Sequence, residues 1–358
     1  MKAAPLLLYA LAAGRECPGE IPEEPVSLTD AAVARATAAA AWFRGAPPPR
    51  HWTLTASLAR DLNQTLGAGA YKRVIEVVDR PELLVKTRAH GALHKQALDH
   101  RGERAVRAEV LYLEVARGRR GVPALYGGWI DQERVYYVVQ RVSASLVRRG
   151  TRGAPSGRPS PLWLKRCQDA PVEAARALLE CFRSFTDAGY HMEDLHGSQF
   201  TLNDAGEVFA IDAPESRPGA PVAATLDWAL RRPKDAARRP HGPGAPGRNC
   251  SRDDDCVRTS DMERCALRDC IRGFEAGARE TRGWCRRATC VGVDARTHVF
   301  DLATRTWALP LILQEGRFPS SAAKRRLEEL IARMRSEAPE DRPSLVDALA
   351  ALNAAPAS

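Results

Sequence analysis

Met192-Glu193-Asp194-Leu195-His196-Gly197-Ser198-Gln199-Phe200, followed by Phe209-Ala210-Ile211-Asp212, is the stretch on which the reading of this chain turns. An Asp, an amide side chain five residues on and a second Asp thirteen beyond that form the layout of a phosphoryl-transfer site. Asp194 is placed to accept the proton of an attacking hydroxyl. Gln199 and Asp212 are placed to hold magnesium against nucleotide phosphates. The intervening Phe200–Val208 reads as strand, turn at Asp204-Ala205-Gly206, strand. Such a hairpin carries both metal-side groups to one edge of a sheet.

Upstream, Leu66-Gly67-Ala68-Gly69-Ala70-Tyr71-Lys72-Arg73-Val74 continues to Val78 as a glycine-rich turn inside a hairpin. Two glycines there let the backbone approach phosphates with its amides pointing at them. Taken alone, the same pattern fits any hairpin turn. Leu83-Leu84-Val85-Lys86 is the next strand, and its lysine is suited to neutralising phosphate charge, although a strand lysine is commonly a solvated one. Residues 103–116 have helical periodicity, and Glu109 on that helix is the expected partner of Lys86. Glu103 and Glu114 are the alternatives. Glu109 is preferred because Leu113 follows four residues later and Val122–Tyr126 then supplies the next strand. Val135-Tyr136-Tyr137-Val138-Val139 reads as a buried strand leading into the connection Gln140-Arg141-Val142.

The flanks are helical. Ser27-Leu28-Thr29-Asp30 offers capping residues to an Ala-rich helix running to about Phe43, which Pro47-Pro48-Pro49 ends. Pro161 to Gln168 and Pro171 to Ala188 read as two helices, the second stopping at Gly189. Residues 215–249, rich in Pro, Gly, Ala and Arg, read as a flexible connection without an element of their own. Mixed structure resumes from Thr297 to Leu313. An amphipathic helix spans Ser320 to Ser336, and a last helix spans Leu345 to Leu352.

The chain has 358 residues, 44% of them hydrophobic, enough for one large domain or two modest ones with a sizeable core. A net charge of +9 admits acidic partners, but the Arg residues are spread out and no basic-aromatic patch is present, so nucleic acid is not the expected partner. Met1 to Gly14 combines one positive charge, a short apolar run and small residues in the manner of a secretory signal. It is too short to span a bilayer as a helix, and no other stretch is apolar enough. Six of the nine cysteines (Cys250, Cys256, Cys265, Cys270, Cys285 and Cys290) fall in one Arg-rich, loop-like segment, the others being Cys17, Cys167 and Cys181. An even cluster implies disulfides or zinc. No tight Cys or His pairs are present and the nearest His is His241, which favours disulfides. Asn63-Gln64-Thr65 and Asn249-Cys250-Ser251 are glycosylation acceptors compatible with a secretory location.

Each motif alone is weak; their order along the chain is not. A glycine hairpin, a strand Lys, a helix Glu, a buried strand leading to a connection, then Asp, Gln and Asp make the chain resemble a protein kinase over residues 63–215 and, less closely, 297–353. Leu66-Gly67-x-Gly69-x-Tyr71-x-x-Val74 matches the phosphate-covering loop, with Lys72 where the third glycine belongs. Leu84-Val85-Lys86 matches the strand lysine. Arg342-Pro343-Ser344 and the closing helix resemble the end of a kinase C-lobe. Glu193 stands in place of the Arg that reads a phosphorylated activation loop. His196 replaces the catalytic-loop lysine that touches the transferred phosphate, Gln199 the metal-binding Asn, and Ala213-Pro214 the Phe-Gly after the metal Asp. With the cysteine segment, these departures resemble the divergent-protein-kinase-domain family of the endoplasmic reticulum and Golgi, whose members have a secretory start and a disulfide-bonded C-lobe.

The resemblance implies an α+β, bilobal fold. A signal peptide of residues 1–14 and an extension of residues 15–62 precede a small β-rich N-lobe (63–142). A larger helical C-lobe (143–358) contains the connection 215–249 and the cysteine-rich insert 250–290. It implies ATP between the lobes, bounded by Gly67, Gly69, Tyr71, Val74, Lys86, Val139 and Gln140. Magnesium or manganese would sit on Gln199 and Asp212, with catalysis by Asp194, Lys86, Glu109 and His196. The expected activity is transfer of the γ-phosphate to a protein Ser, Thr or Tyr or to a glycan hydroxyl, in the secretory pathway or outside the cell. The rivals are a pseudokinase that binds nucleotide or scaffolds, and a cytoplasmic kinase-like protein whose insert binds zinc.

Overall fold

The computed structural model describes residues 28–68, 72–88, 95–132, 134–142, 144–149, 155–192, 195–211, 216–218, 257–259, 280–282, 284–286, 289–291, 295–336 and 341–354. The architecture is mixed α+β. Helix α1 (Asp30–Trp42) starts where expected, with the Thr29 side chain accepting from the Ala32 N–H. A 3₁₀ turn (Ala56–Asp61) leads into strands β1 (Leu62–Ala68), β2 (Lys72–Val77) and β3 (Leu83–Arg88), then helix α2 (Lys95–Val115) and strands β4 (Leu125–Asp131) and β5 (Arg134–Gln140). These strands form one antiparallel sheet in the order β1-β2-β3-β5-β4.

Alternation along the strands assigns each face. Ile75, Val77, Leu83, Val85 and Val138 pack with Leu58 and Trp129 in a cluster of their own. The opposite face carries Lys72, Val74, Leu84, Lys86, Tyr137 and Val139. Of these, Leu84, Tyr137 and Val139 join the main core, which continues through α2 into the helices that follow. Val74 pairs with Lys86, and Leu84 with Val139, so three residues expected at a nucleotide, Val74, Lys86 and Val139, share one face of the sheet.

The α2 helix packs on that face through Val106, Val110 and Leu113, an i, i+4, i+7 stripe. On its other side lies α1, whose Ala36, Ala39 and Ala40 let the two helices approach closely. Beyond β5 come β6 (Ala144–Ser145), β7 (Val147–Arg149), β8 (Pro155–Pro159), α3 (Pro161–Asp169), α4 (Pro171–Asp187) and β9 (Tyr190–Met192). The hairpin of β10 (Phe200–Leu202) and β11 (Val208–Ala210) turns through Asp204-Ala205-Gly206, as its composition predicts, with Gly206 in the left-handed region. Helices Ala295–Thr304, Leu309–Glu315, Ser321–Met334 and Leu345–Asn353 complete the described chain. Trp163 and Trp307 anchor this half; both are fully buried, and the Trp163 indole donates to the Trp307 carbonyl at 2.9 Å.

Several expectations need correction. The first strand begins at Leu62 rather than Leu66, since Leu62 and the polar Thr65 already pair with Val77 and Ile75 of β2. The α2 helix begins at Lys95, eight residues before the apolar periodicity that signals it. The strand expected at Val122 starts at Leu125, after Pro123, which has no N–H to offer a ladder. Residues 297–313 form two helices rather than mixed structure. The connection 215–249 is not without an element: Ser216–Pro218 pairs antiparallel with β9. The cysteine segment is not simply loop-like, since Val257–Thr259 pairs with Glu280–Arg282 and Trp284–Arg286 with Thr289–Val291. The expected leader 1–14 and residues 219–249 lie outside the described residues.

Candidate functional site

Lys86 is the hub. It sits mid-strand on β3 with only 6% of its surface exposed, so its ammonium must find partners inside the protein. Nζ donates to Glu109 Oε1 at 2.7 Å and to the backbone carbonyl of Ile211. The first bond ties the sheet to α2. The second ties it to the end of the β10–β11 hairpin, one residue before Asp212. The three contributing segments are far apart in the chain, and the strand register, the α2 face and the hairpin together bring them to one point.

Glu109 lies between Val106, Val110 and Leu113 on the face of α2 turned to the sheet, and is 2% exposed. A carboxylate in an apolar stripe is costly unless paired. Its second oxygen, Oε2, accepts from Lys72 Nζ. Burial pushes the Glu109 carboxyl up, but the Lys72 and Lys86 ammoniums outweigh burial and hold it down at about 2. The competing carboxylates are engaged elsewhere. Glu103 pairs with Arg107 one turn on. Glu114 faces α1 and accepts from the Trp52 indole at 2.7 Å and from His51 Nε2 at 2.9 Å. Among the three candidate glutamates, Glu109 is the one that meets Lys86.

The second part of the site is the turn Gly197–Gln199 and the hairpin it opens. Gln199 is 2% exposed, and its Oε1 accepts from the His196 backbone N–H at 3.2 Å. The Ile211 N–H donates to the Gln199 carbonyl at 2.8 Å, extending the β10–β11 ladder by one rung. The hairpin thus sets Gln199 opposite Ile211 at the sheet edge, as the sequence spacing predicts. His196 is half-buried, with Nδ1 at 2.7 Å from the Ser198 hydroxyl. Gly197 has no room for a side chain: an added Cβ would stand 2.5 Å from Val147 Cγ1 and 3.0 Å from the Trp307 ring. Gly197→Ala is therefore expected to cost about 1–3 kcal/mol through overpacking, read as a lower urea midpoint. An unchanged midpoint would show that this turn yields freely.

At the opposite wall, the Gln140 N–H donates to the Ala124 carbonyl at 2.9 Å and its side-chain Oε1 accepts from the Ala124 N–H at 3.3 Å, fixing the start of the connection after β5. Arg141 continues it, with its N–H on the Glu82 carbonyl and its guanidinium on Glu76 at 2.9 Å. Gly67 lies in β1, and Val74 faces the Lys86 side of the sheet.

Of the residues expected from the sequence, the structure therefore brings Lys86 and Glu109 together, with Val74 and Val139 on the same face and the Gln199–Ile211 rung adjoining. Asp194, Asp212, Gly69, Tyr71, Cys250, Cys256, Cys265 and Cys270 lie outside the described residues. Cys285 and Cys290 are described by backbone alone, which places them directly opposite each other across a strand pair. Lys72 is the site residue that sequence reasoning passed over, since it was weighed only as a misfit in a glycine pattern. Strand parity would have found it: Lys72 precedes Val74 by two residues and so shares the face of Val74 and Lys86.

No protein-family model matches the chain, and no curated protein matches it in sequence.

Proposed function

We propose that the chain is a phosphotransferase of protein-kinase type, moving the γ-phosphate of ATP to a hydroxyl of a protein or glycan. The observation that carries this reading is the buried Lys86–Glu109 pair joining a strand of the sheet to α2. In protein kinases such a strand-lysine and helix-glutamate pair must be in place for transfer, because it positions the lysine on the nucleotide phosphates. The sheet order, the α2 crossover and the hairpin one rung short of Asp212 support the same reading.

On this reading, Lys86 holds the α- and β-phosphates and Glu109 keeps it extended toward them. The adenine lies beside Val139 and Gln140, under Val74 and the glycine turn. Asp194 accepts the proton of the acceptor hydroxyl, and His196 stands near the transferred group. Asp212 and Gln199 are the residues that would hold magnesium or manganese, which neutralises phosphate charge. A secretory setting is proposed on the candidate leader and the cysteine segment, including the cross-strand register of Cys285 and Cys290. Among the described residues, no helix is long and apolar enough to cross a membrane.

One observation favours a second reading, nucleotide binding without turnover: the Gln199 amide oxygen is committed to the His196 N–H. A thermal-shift titration separates the outcomes. ATP with magnesium or manganese at about a hundred times its Kd is expected to add about 2.7 kcal/mol, or about 4 °C in Tm for a chain of 358 residues. The shift should need the metal and vanish in Asp212→Ala. A shift without phosphate release or transfer favours the second reading, and no shift in wild type overturns both.

A further inference from the structure

Glu109 is shared. One oxygen holds Lys86 from β3, the other Lys72 from β2, and both lysines are 6% exposed. The strand register explains why. Val74 sits directly opposite Lys86, and Lys72 is two residues before Val74 on the same face, so Lys72 and Lys86 are diagonal neighbours across β2 and β3. The Glu109 carboxylate approaches from α2 between them. Lys72 is also the first residue of β2, at the end of the sheet where β1 finishes on Ala68.

We infer that Lys72 is a second phosphate-binding lysine of the nucleotide site, aligned with Lys86 by opposite oxygens of the same carboxylate. This rests on the phosphotransferase reading and deepens it: the site grips the phosphate chain from two strands, and the position where a third glycine would let the backbone approach is given to a charged side chain instead. The lysine pair selects for the charge of the phosphate chain rather than for the nucleoside.

Calorimetric titration of the purified full-length protein with ATP plus magnesium, and separately with adenosine, tests this. Losing one charge-assisted contact is expected to weaken ATP binding about tenfold in Lys72→Met and leave adenosine binding unchanged. Lys72→Gln keeps a donor for Glu109 Oε2 without the charge and should show the same selective loss if the Met variant does not fold. Lys72→Arg should restore ATP binding to within about threefold of wild type. Lys72→Met combined with Lys86→Met should lose more ATP affinity than either alone. The inference is overturned if the Lys72 variants bind ATP within about twofold of wild type, or if ATP and adenosine weaken together, the mark of a purely structural lysine. Wild type that binds adenosine but gains nothing from the phosphates also overturns it, while wild type that binds neither ligand overturns the phosphotransferase reading itself.

Discussion

Replacing Glu109 by Ala is expected to cost about 3–5 kcal/mol of folding stability and to abolish the nucleotide-dependent thermal shift. The carboxylate lies in the apolar stripe Val106, Val110 and Leu113, and two buried ammoniums close on it. Removing it takes an acceptor from both buried ammoniums at once, whereas removing either lysine leaves the carboxylate its other partner. The same cluster sets an acid limit. Burial raises the Glu109 carboxyl, Lys72 and then Lys86 lower it, and the net result is a fall from 4.5 to about 2. A carboxyl depressed in the folded state contributes stability that is fully present above its unfolded value and is lost as pH falls through its folded value. At about 1.4 kcal/mol per unit, Glu109 should contribute about 3 kcal/mol above pH 4.5, lost progressively toward pH 2. Urea midpoints of wild type and Glu109→Gln between pH 7 and pH 2 check this: the two curves should converge at the acid end. Parallel curves would mean that the ion pairs do not form as described.

The elements that converge on Glu109 differ in how readable they were. Lys86 and the order of motifs around it were legible because a lysine closing the apolar run Leu83-Leu84-Val85, a helix and a buried strand are local patterns. The choice of Glu109 over Glu103 and Glu114 was legible through two clues, the apolar Leu113 a turn away and the strand sequence that follows at Val122–Tyr126. The tertiary partners of Glu114 were not legible: Trp52 and His51 are 62 and 63 residues upstream of it and nothing in their spacing announces the contact. Ser216–Pro218 was illegible for another reason. Its sequence has no strand propensity, and its partner β9, rather than its own residues, makes it a strand. Lys72 was hidden by pattern matching, since comparing it with a glycine obscured what its strand parity says. The start of α2 was missed because Lys95 to Gly102 carries no apolar period to read.

Glu114→Ala is the second large effect. Its side chain is wholly buried, yet it lies on the face of α2 turned away from Lys86. Its carboxylate accepts from the Trp52 indole at 2.7 Å, His51 Nε2 at 2.9 Å and Arg117 at 3.2 Å, while its backbone carbonyl accepts from Arg35 at 3.1 Å. Residues of α1 and of the segment after it thus converge on one carboxylate, beside the packing of Trp42 edge-on against Trp52 at 4.7 Å. Without the carboxylate, the buried indole N–H and the neighbouring guanidiniums lose their shared acceptor, at an expected cost of about 3–5 kcal/mol. The exposed Arg120–Glu180 pair is the control: Glu180→Ala should cost less than about 1 kcal/mol. Hydrogen exchange locates the effect, with α1 amides losing protection in Glu114→Ala before those of β3 and β5. Because Glu109 and Glu114 are five residues apart on one helix, α2 is held between the sheet and the N-terminal segment. Loosening the Glu114 side should therefore also weaken the nucleotide-dependent shift, although Glu114 touches neither lysine. Full α1 protection together with an unchanged nucleotide shift in Glu114→Ala would show that the N-terminal segment rides on α2 without holding it.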